Sequence, residues 1–380
     1  MTATAVAAHR PGVDRPLLVL ALALLGIGLV AIGSASVDYA EATYGNMWRH
    51  SHRHLLYLML AALVAAIGYR VPVAFWYRSA WLWLLLAILL LILVLIPGVG
   101  RTANASQRWL ALGALSFQPS ELAKAAAIVF LAAYLRRQGQ ALRESWPGVL
   151  RPLLVLAVVA LLLLAEPDFG AVVILLGTAF GMLFLAGMRL AHLALLLLSS
   201  AVLGALLIVD EPYRLARLTT YLDPWADPYQ GGFQLIQSLI AFGRGEWFGV
   251  GLGNSVQKLL YLTQAHTDFI FAIWAEETGV VGALTLIGLF VALVLRIFQI
   301  ARRAAAAGDV FAAQLCYGVA LMFSAQAFIN MGASSGLLPT KGLTLPLVSY
   351  GGTSLVSACA LLGMVLRVAR ELEAPPRPRR

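Results

Sequence analysis

The sequence predicts an all-α integral membrane protein of about ten transmembrane helices, with a large external loop between the seventh and eighth. Three observations lead there. Of 380 residues, 61% are hydrophobic and only 12% are charged, which no soluble domain of this size shows. Apolar runs such as Trp81 to Ile96 and Leu153 to Ala165 recur along almost the whole chain, and runs near ~20 residues are what a hydrocarbon core requires. The basic residues are scattered between those runs and concentrated at the C-terminal tail.

Taken in order, residues 1–16 form a polar N-terminal tail with Arg10 and Arg15, and residues 17–36 form the first span. No small-residue cleavage site with a secreted domain follows, so that span is expected to be retained. Further spans are expected over 54–69, 79–97, 120–135, 150–165, 169–188, 190–209, 268–300, 310–330 and 345–368. The membrane domain thus covers 17–370, and 371–380 is a short basic, proline-rich tail. With both termini inside, 17 of the 27 basic residues but five of the 18 acids lie on the inner side, as the positive-inside rule demands. The same distribution explains the formal charge of +9 without nucleic acid. Cys316 and Cys359 fall inside apolar runs and read as packing residues, not as a disulfide or metal site.

The loop over 210–267 is the longest connection, and a loop of this length is usually functional or holds elements of its own. It mixes Trp225, Phe233, Trp247 and Phe248 with prolines and glycines, a composition suited to the headgroup region. Within it GGFQLIQSLIAFGRG has helical spacing, giving either an amphipathic surface helix or a loop folded over the helix ends. The absence of an internal repeat weakens a transporter reading.

An ionisable side chain at the edge of a bilayer is costly and asks for a reason. On the outer side stand the pair Glu121 and Lys124, three apart on one helix; Glu166 and Asp168 in the turn EPDFG; Asp268; and Glu276 with Glu277 two turns deeper. Lys341 lies in GLLPTKGLTLPL, whose prolines and glycines suggest a re-entrant or extended segment. The chain has 24 arginines and three lysines, Lys124, Lys258 and Lys341, all on the outer side; an ammonium binds phosphate as a compact point charge. Asp268, in AHTDFIF, is placed to accept a proton from a sugar hydroxyl at the bilayer surface, and it is equally well placed to cap its helix. His266 reads as a structural hydrogen-bonding residue, and Glu276 and Glu277 as buried partners of Lys or Arg. The loop RTANASQRWLALGALSFQPSEL supplies Arg101, Arg108 and Trp109, a cation beside an aromatic, which suits sugar and phosphate and equally an interfacial anchor. The glycines of FGVGLGN lack the strand and helix of a nucleotide loop. His50, His52 and His54 lack metal-ligand spacing and read as a surface segment.

These strings are familiar together. QRWLALG with FQPSELAK, AEPDFG, GNSVQKLLYL, AHTDFIFAIWAEETG and GLLPTKGLTLPLVSYGGTS resemble the SEDS family of shape, elongation, division and sporulation proteins, from Arg101 to Arg370. GLLPTKGLTLPL and GNSVQKL look like its division members. The resemblance implies a peptidoglycan glycosyltransferase of the bacterial inner membrane that polymerises lipid II at the outer face during septal synthesis. It implies a catalytic aspartate at Asp268, an important tryptophan at Trp109 and a functional lysine at Lys341. Thr263 and Gln264 stand where the family has proline and glutamate, which touches only a regulatory role for that acid. The transfer would be inverting, with Lys341, Arg108, Lys258 or Lys124 stabilising the leaving pyrophosphate. No cofactor is evident; a divalent cation could share that task, though the sequence shows no site for one. A lipid II flippase and a noncatalytic divisome scaffold are the alternatives; Glu276 and Glu277 keep the first open. Implied partners are a class B penicillin-binding transpeptidase of the FtsI type and the division proteins FtsQ, FtsL and FtsB.

Overall fold

The computed structural model describes residues 12–103, 106–113, 115–210, 212–259, 261–262, 264–340 and 342–373. Among them are twelve α-helices: α1 (Arg15–Tyr44), α2 (Arg49–Arg70), α3 (Val73–Leu95), α4 (Pro119–Glu144), α5 (Trp146–Ala165), α6 (Phe169–Leu185), α7 (Leu190–Val209), α8 (Pro212–Leu222), α9 (Phe233–Gly245), α10 (Ile270–Ala306), α11 (Val310–Ser334) and α12 (Gly352–Glu373). Helices α1, α2, α3, α5, α7, α10, α11 and α12 are long and apolar enough to cross a membrane. Helix α6 is shorter, with 17 residues, and α4 has the length but carries Glu121, Lys124, Arg136 and Arg137 along it. Together they give the multi-pass bundle of about ten spans that the hydropathy pattern predicts.

The starts of these helices are written locally. Asp14 Oδ1 accepts the Leu17 amide at 3.0 Å, Asp168 Oδ1 that of Ala171 at 3.2 Å and Asp309 Oδ1 that of Ala312 at 3.1 Å; each satisfies an amide with no intrahelical partner. Pro119 opens α4, where its missing N–H costs nothing. Helices α11 and α12 are 67% buried over their apolar windows and form the centre, whereas α7 is 6% buried and faces lipid almost entirely. Helices α2 and α12 approach closely: a Cβ on Gly68 would stand 3.1 Å from the Ala360 carbonyl, the close contact that small residues allow between helices in a membrane.

Three features depart from the sequence expectation. The loop after α3 folds into a small antiparallel sheet, β1 (Gly100–Ala103), β2 (Ser106–Leu112) and β3 (Leu115–Phe117), in that order. Arg101 opposes Trp109, and Leu110 opposes Phe117. The sheet is tied to the bundle: Gln107 Nε2 donates to the carbonyls of Val94 and Ile96 at 2.9 and 3.0 Å, and the Tyr57 hydroxyl accepts the Ser116 amide at 3.0 Å. The segment with His50 and His54 is the buried first turn of α2, not a surface stretch, because it packs against rings from distant parts of the chain. Helix α10 is broken at Gly279, whose φ of 69° and ψ of −168° leave the helical region.

Candidate active site

A cavity of about 1160 Å³ opens at the end of the bundle where β2, the turn before α6, α8, the turn before α10 and the segment after α11 meet. Pockets for small ligands hold roughly 300–1,000 Å³, so this one suits something larger than a single sugar. Its lining includes Arg53, Arg108, Trp109, Asp168, Arg217, His266 and Asp268.

Asp268 lies in the turn ahead of α10. The helix starts behind Phe269 with no side-chain cap, so the capping explanation of this aspartate does not hold. The turn itself is pinned. Asn330 Nδ2 on α11 donates to the Asp268 carbonyl at 3.0 Å and to the Leu343 carbonyl at 2.6 Å. Ser349 Oγ donates to the Thr267 carbonyl at 2.6 Å, and the Tyr350 amide to that of His266 at 2.9 Å. The backbone is thus fixed while the side chain faces the cavity, and among the described residues no donor is within hydrogen-bond distance of its carboxylate. Burial pushes that carboxyl up to about 7, with the nearby guanidiniums of Arg217 and Arg108 pulling the other way. A base with this value is half ionised near neutral pH.

Arg108 and Trp109 come from the middle of β2. The Arg108 guanidinium donates from Nε to the Glu166 carbonyl at 2.9 Å and from Nη2 to the Pro167 carbonyl at 2.5 Å, and Nη1 stands 3.9 Å from Asp168 Oδ1. It is therefore held at the cavity wall by the EPDFG turn. Glu166 in that turn is fully buried, with neither carboxylate oxygen hydrogen-bonded among the described residues. Burial first, then the charge of Asp168, raise it to about 8 against the pull of Arg108. His266 stacks 4.9 Å from His50, 5.3 Å from Tyr39 and 5.5 Å from Tyr350, centroid to centroid. Burial, with His50 adding to it, lowers His266 to about 4, so it is neutral at physiological pH.

The structure brings Asp268, Arg108, Trp109 and His266 to one cavity and places the other candidates elsewhere. Lys124 is buried within the bundle, 2.9 Å from Glu121 Oε1, and neither lines the cavity. Lys258 is also buried, spent on Glu277 at 3.3 Å, on Ser34 Oγ at 3.0 Å and on the Gly253 carbonyl at 2.7 Å. A cation used up in these bonds has no donor left for a leaving group. Arg101 is exposed on β1, outside the lining. Glu276 and Glu277 do pair with cations, Arg244 at 3.5 Å and Lys258, though both partners come from the long loop rather than from spans. Lys341 lies outside the described residues; Thr340 and Gly342 line the cavity. Among the described residues no group of three or more acids, histidines or cysteines could hold a metal ion.

Two cationic lining residues are absent from the sequence expectation, Arg53 and Arg217. Arg217 belongs to α8, whose stretch PYRLARLTTYL carries the helical spacing that would have revealed it.

The chain matches the cell cycle protein family of FtsW, RodA and SpoVE over residues 15–374. It is 52% identical over 359 residues to a protein of Hahella chejuensis named probable peptidoglycan glycosyltransferase FtsW, covering 94% of this chain and 90% of that one. A Halomonas elongata protein of the same name is 52% identical over 374 residues, covering 96% and 94%. Among solved structures, a chain from a study of polymerization and crosslinking by a peptidoglycan synthase complex superposes with a TM-score of 0.77 at 33% identity, covering 95% of this chain and 98% of that one. The rod shape determining protein RodA of Thermus thermophilus gives 0.70 at 30% identity, with 95% and 97% covered. A family match across nearly the whole length, with relatives half identical over most of their own length, places this multi-pass membrane protein in the SEDS family of FtsW, RodA and SpoVE.

Proposed function

We propose that the chain is a peptidoglycan glycosyltransferase of septal synthesis, polymerising lipid II, with Asp268 as its general base. The observation that carries the assignment of the base is a carboxylate with no hydrogen-bond donor among the described residues, raised to about 7, on the wall of a cavity that also presents Arg108, Arg217 and Trp109. Asp268 takes the proton of the acceptor GlcNAc 4-hydroxyl. The freed oxygen attacks the anomeric carbon of a MurNAc that bears undecaprenyl pyrophosphate, and the bond from that carbon to the pyrophosphate oxygen breaks. Attack from the opposite face turns the α-linked donor into a β-1,4 link. The pyrophosphate leaves with its charge, which Arg108 and Arg217 stabilise. Trp109 offers a ring face to a sugar. Lys341 is proposed as a further phosphate contact on the strength of the family motif. The prenyl tails stay in lipid, which explains a sugar polymerase made of membrane helices.

In this reading the cavity faces the periplasm, both termini are cytoplasmic, and the enzyme works at the division septum beside a class B transpeptidase with FtsQ, FtsL and FtsB. The similarity to a chain of a peptidoglycan synthase complex supports such a partner. The test is a gel assay of glycan polymer from purified lipid II and the purified protein with its transpeptidase. Asp268→Ala is expected to give no polymer while lipid II still binds; polymer at the normal rate would refute the assignment.

A further inference from the structure

Of the buried charges this chemistry leaves unused, three meet at one place: Lys258, Glu276 and Glu277. Lys258 and Glu277 form a buried ion pair, and the Ser34 hydroxyl of α1 bonds to both, reaching Glu277 Oε1 at 2.5 Å. Next to them Glu276, fully buried, accepts the Ser255 hydroxyl at 2.5 Å and the amides of Val256 and Gln257 at 3.1 and 3.4 Å. Arg244, at the end of α9, stands 3.5 Å from the same carboxylate.

All this surrounds the break in α10. The backbone groups that Gly279 withdraws from the helix are taken up by the segment after α9. The Val250 and Gly251 amides donate to the carbonyls of Glu276 and Glu277 at 3.0 and 3.1 Å, and the Val280 and Val281 amides donate to those of Glu246 and Trp247 at 2.9 and 3.2 Å. A Cβ on Gly279 would stand 2.5 Å from the Gly249 nitrogen, so the crossing requires glycine. One continuous element is thus two helices, 270–278 and 280–306, with a loop wedged between them. The first begins two residues after Asp268, and Glu277 lies seven residues along it, about 10 Å of helix.

We propose that α10 works as two helices joined at Gly279, and that Lys258, bound to Glu277 and Ser34, is a positioning residue that sets the half-helix following Asp268 and hence the place of the base in the cavity. The inference rests on the assignment of Asp268. It explains why two acids and a lysine are kept where they touch no substrate: a buried ion pair contributes little net stability over apolar packing, so its use is to select one arrangement. It also gives the long loop a task, since the wedge and the cations that hold it both come from that loop.

The test removes both charges together. The double variant Lys258→Met, Glu277→Met, made in the full-length protein and assayed with its transpeptidase, leaves no lone buried charge and is expected to fold. It should keep the wild-type KM for lipid II, since Arg108 and Trp109 are untouched, and lose between about ten- and a hundredfold in kcat. Wild-type kcat in the double variant, with Asp268→Asn inactive, overturns the positioning role alone. An active Asp268→Asn overturns the base and this inference with it. Hydrogen exchange on the wild-type protein checks the hinge independently of any variant: 270–278 and 280–306 should open as separate units, and a single cooperative unit across Gly279 would contradict the proposal.

Discussion

Two groups of acids sit close together along α10 and its leading turn, and the protein treats them oppositely. Glu276 and Glu277 are buried and surrounded by hydroxyls, amides and cations. Asp268, at the cavity, has the backbone of its turn pinned from three sides and, among the described residues, its carboxylate left without a donor. Every bond given to a carboxylate stabilises its charge and lowers its basicity. Among the described residues the donors thus gather at Glu276 and Glu277 and not at Asp268, the proposed base.

The sharpest way to break this contrast is to exchange charge for shape at each place. Asp268→Asn should lower polymerisation by about 10²–10⁴-fold, the range of a general base, with thermal stability unchanged or slightly higher because a burdened carboxyl is gone. Glu276→Leu should do the reverse in kind, costing about 1–3 kcal/mol of stability by leaving the Ser255 hydroxyl and the Val256 and Gln257 amides without their acceptor, read from the thermal midpoint in detergent.

A second comparison lies within the cavity wall. Arg108→Ala removes a guanidinium that both faces the cavity and ties down the EPDFG turn, and about a 10²-fold loss in kcat/KM is expected from steady-state assays. Its neighbour Glu166 should affect stability alone. Its carboxyl is raised from about 4.5 to about 8, so the folded state holds a proton that the unfolded state releases. Stability from this group is full below about 4.5 and is lost as pH rises through about 8. Glu166→Gln should abolish that loss, raising stability by on the order of 4 kcal/mol at pH 8 and by little at pH 4. Melting curves of both proteins across that range test the sign.

How much of this was legible follows the range of the interactions involved. The spans could be read because hydropathy is local. Asp268, Arg108 and Trp109 could be read because their strings are distinctive. The sheet over 100–117 could not: its strands are short, and what holds them is Tyr57 of the bundle bonding to Ser116 and Gln107 reaching back into the bundle. Lys124 and Lys258 looked like phosphate binders because an exposed and a buried lysine are the same letter; their partners Glu121, Glu277 and Ser34 decide between the two. His50 was misjudged for the same reason, since its neighbour His266 is over two hundred residues away. Arg217 was missed because a loop containing prolines hid a helix.

The proposed proton transfer requires Asp268 to be ionised, with a pKa near neutrality. The most direct measurement is the pH dependence of kcat/KM for lipid II polymerisation, which reports the free enzyme. An acidic limb with a midpoint near 7 and unit slope is expected, with the rate at pH 6 down about tenfold from its plateau. A rate that stays flat from pH 5 to pH 8 would contradict it.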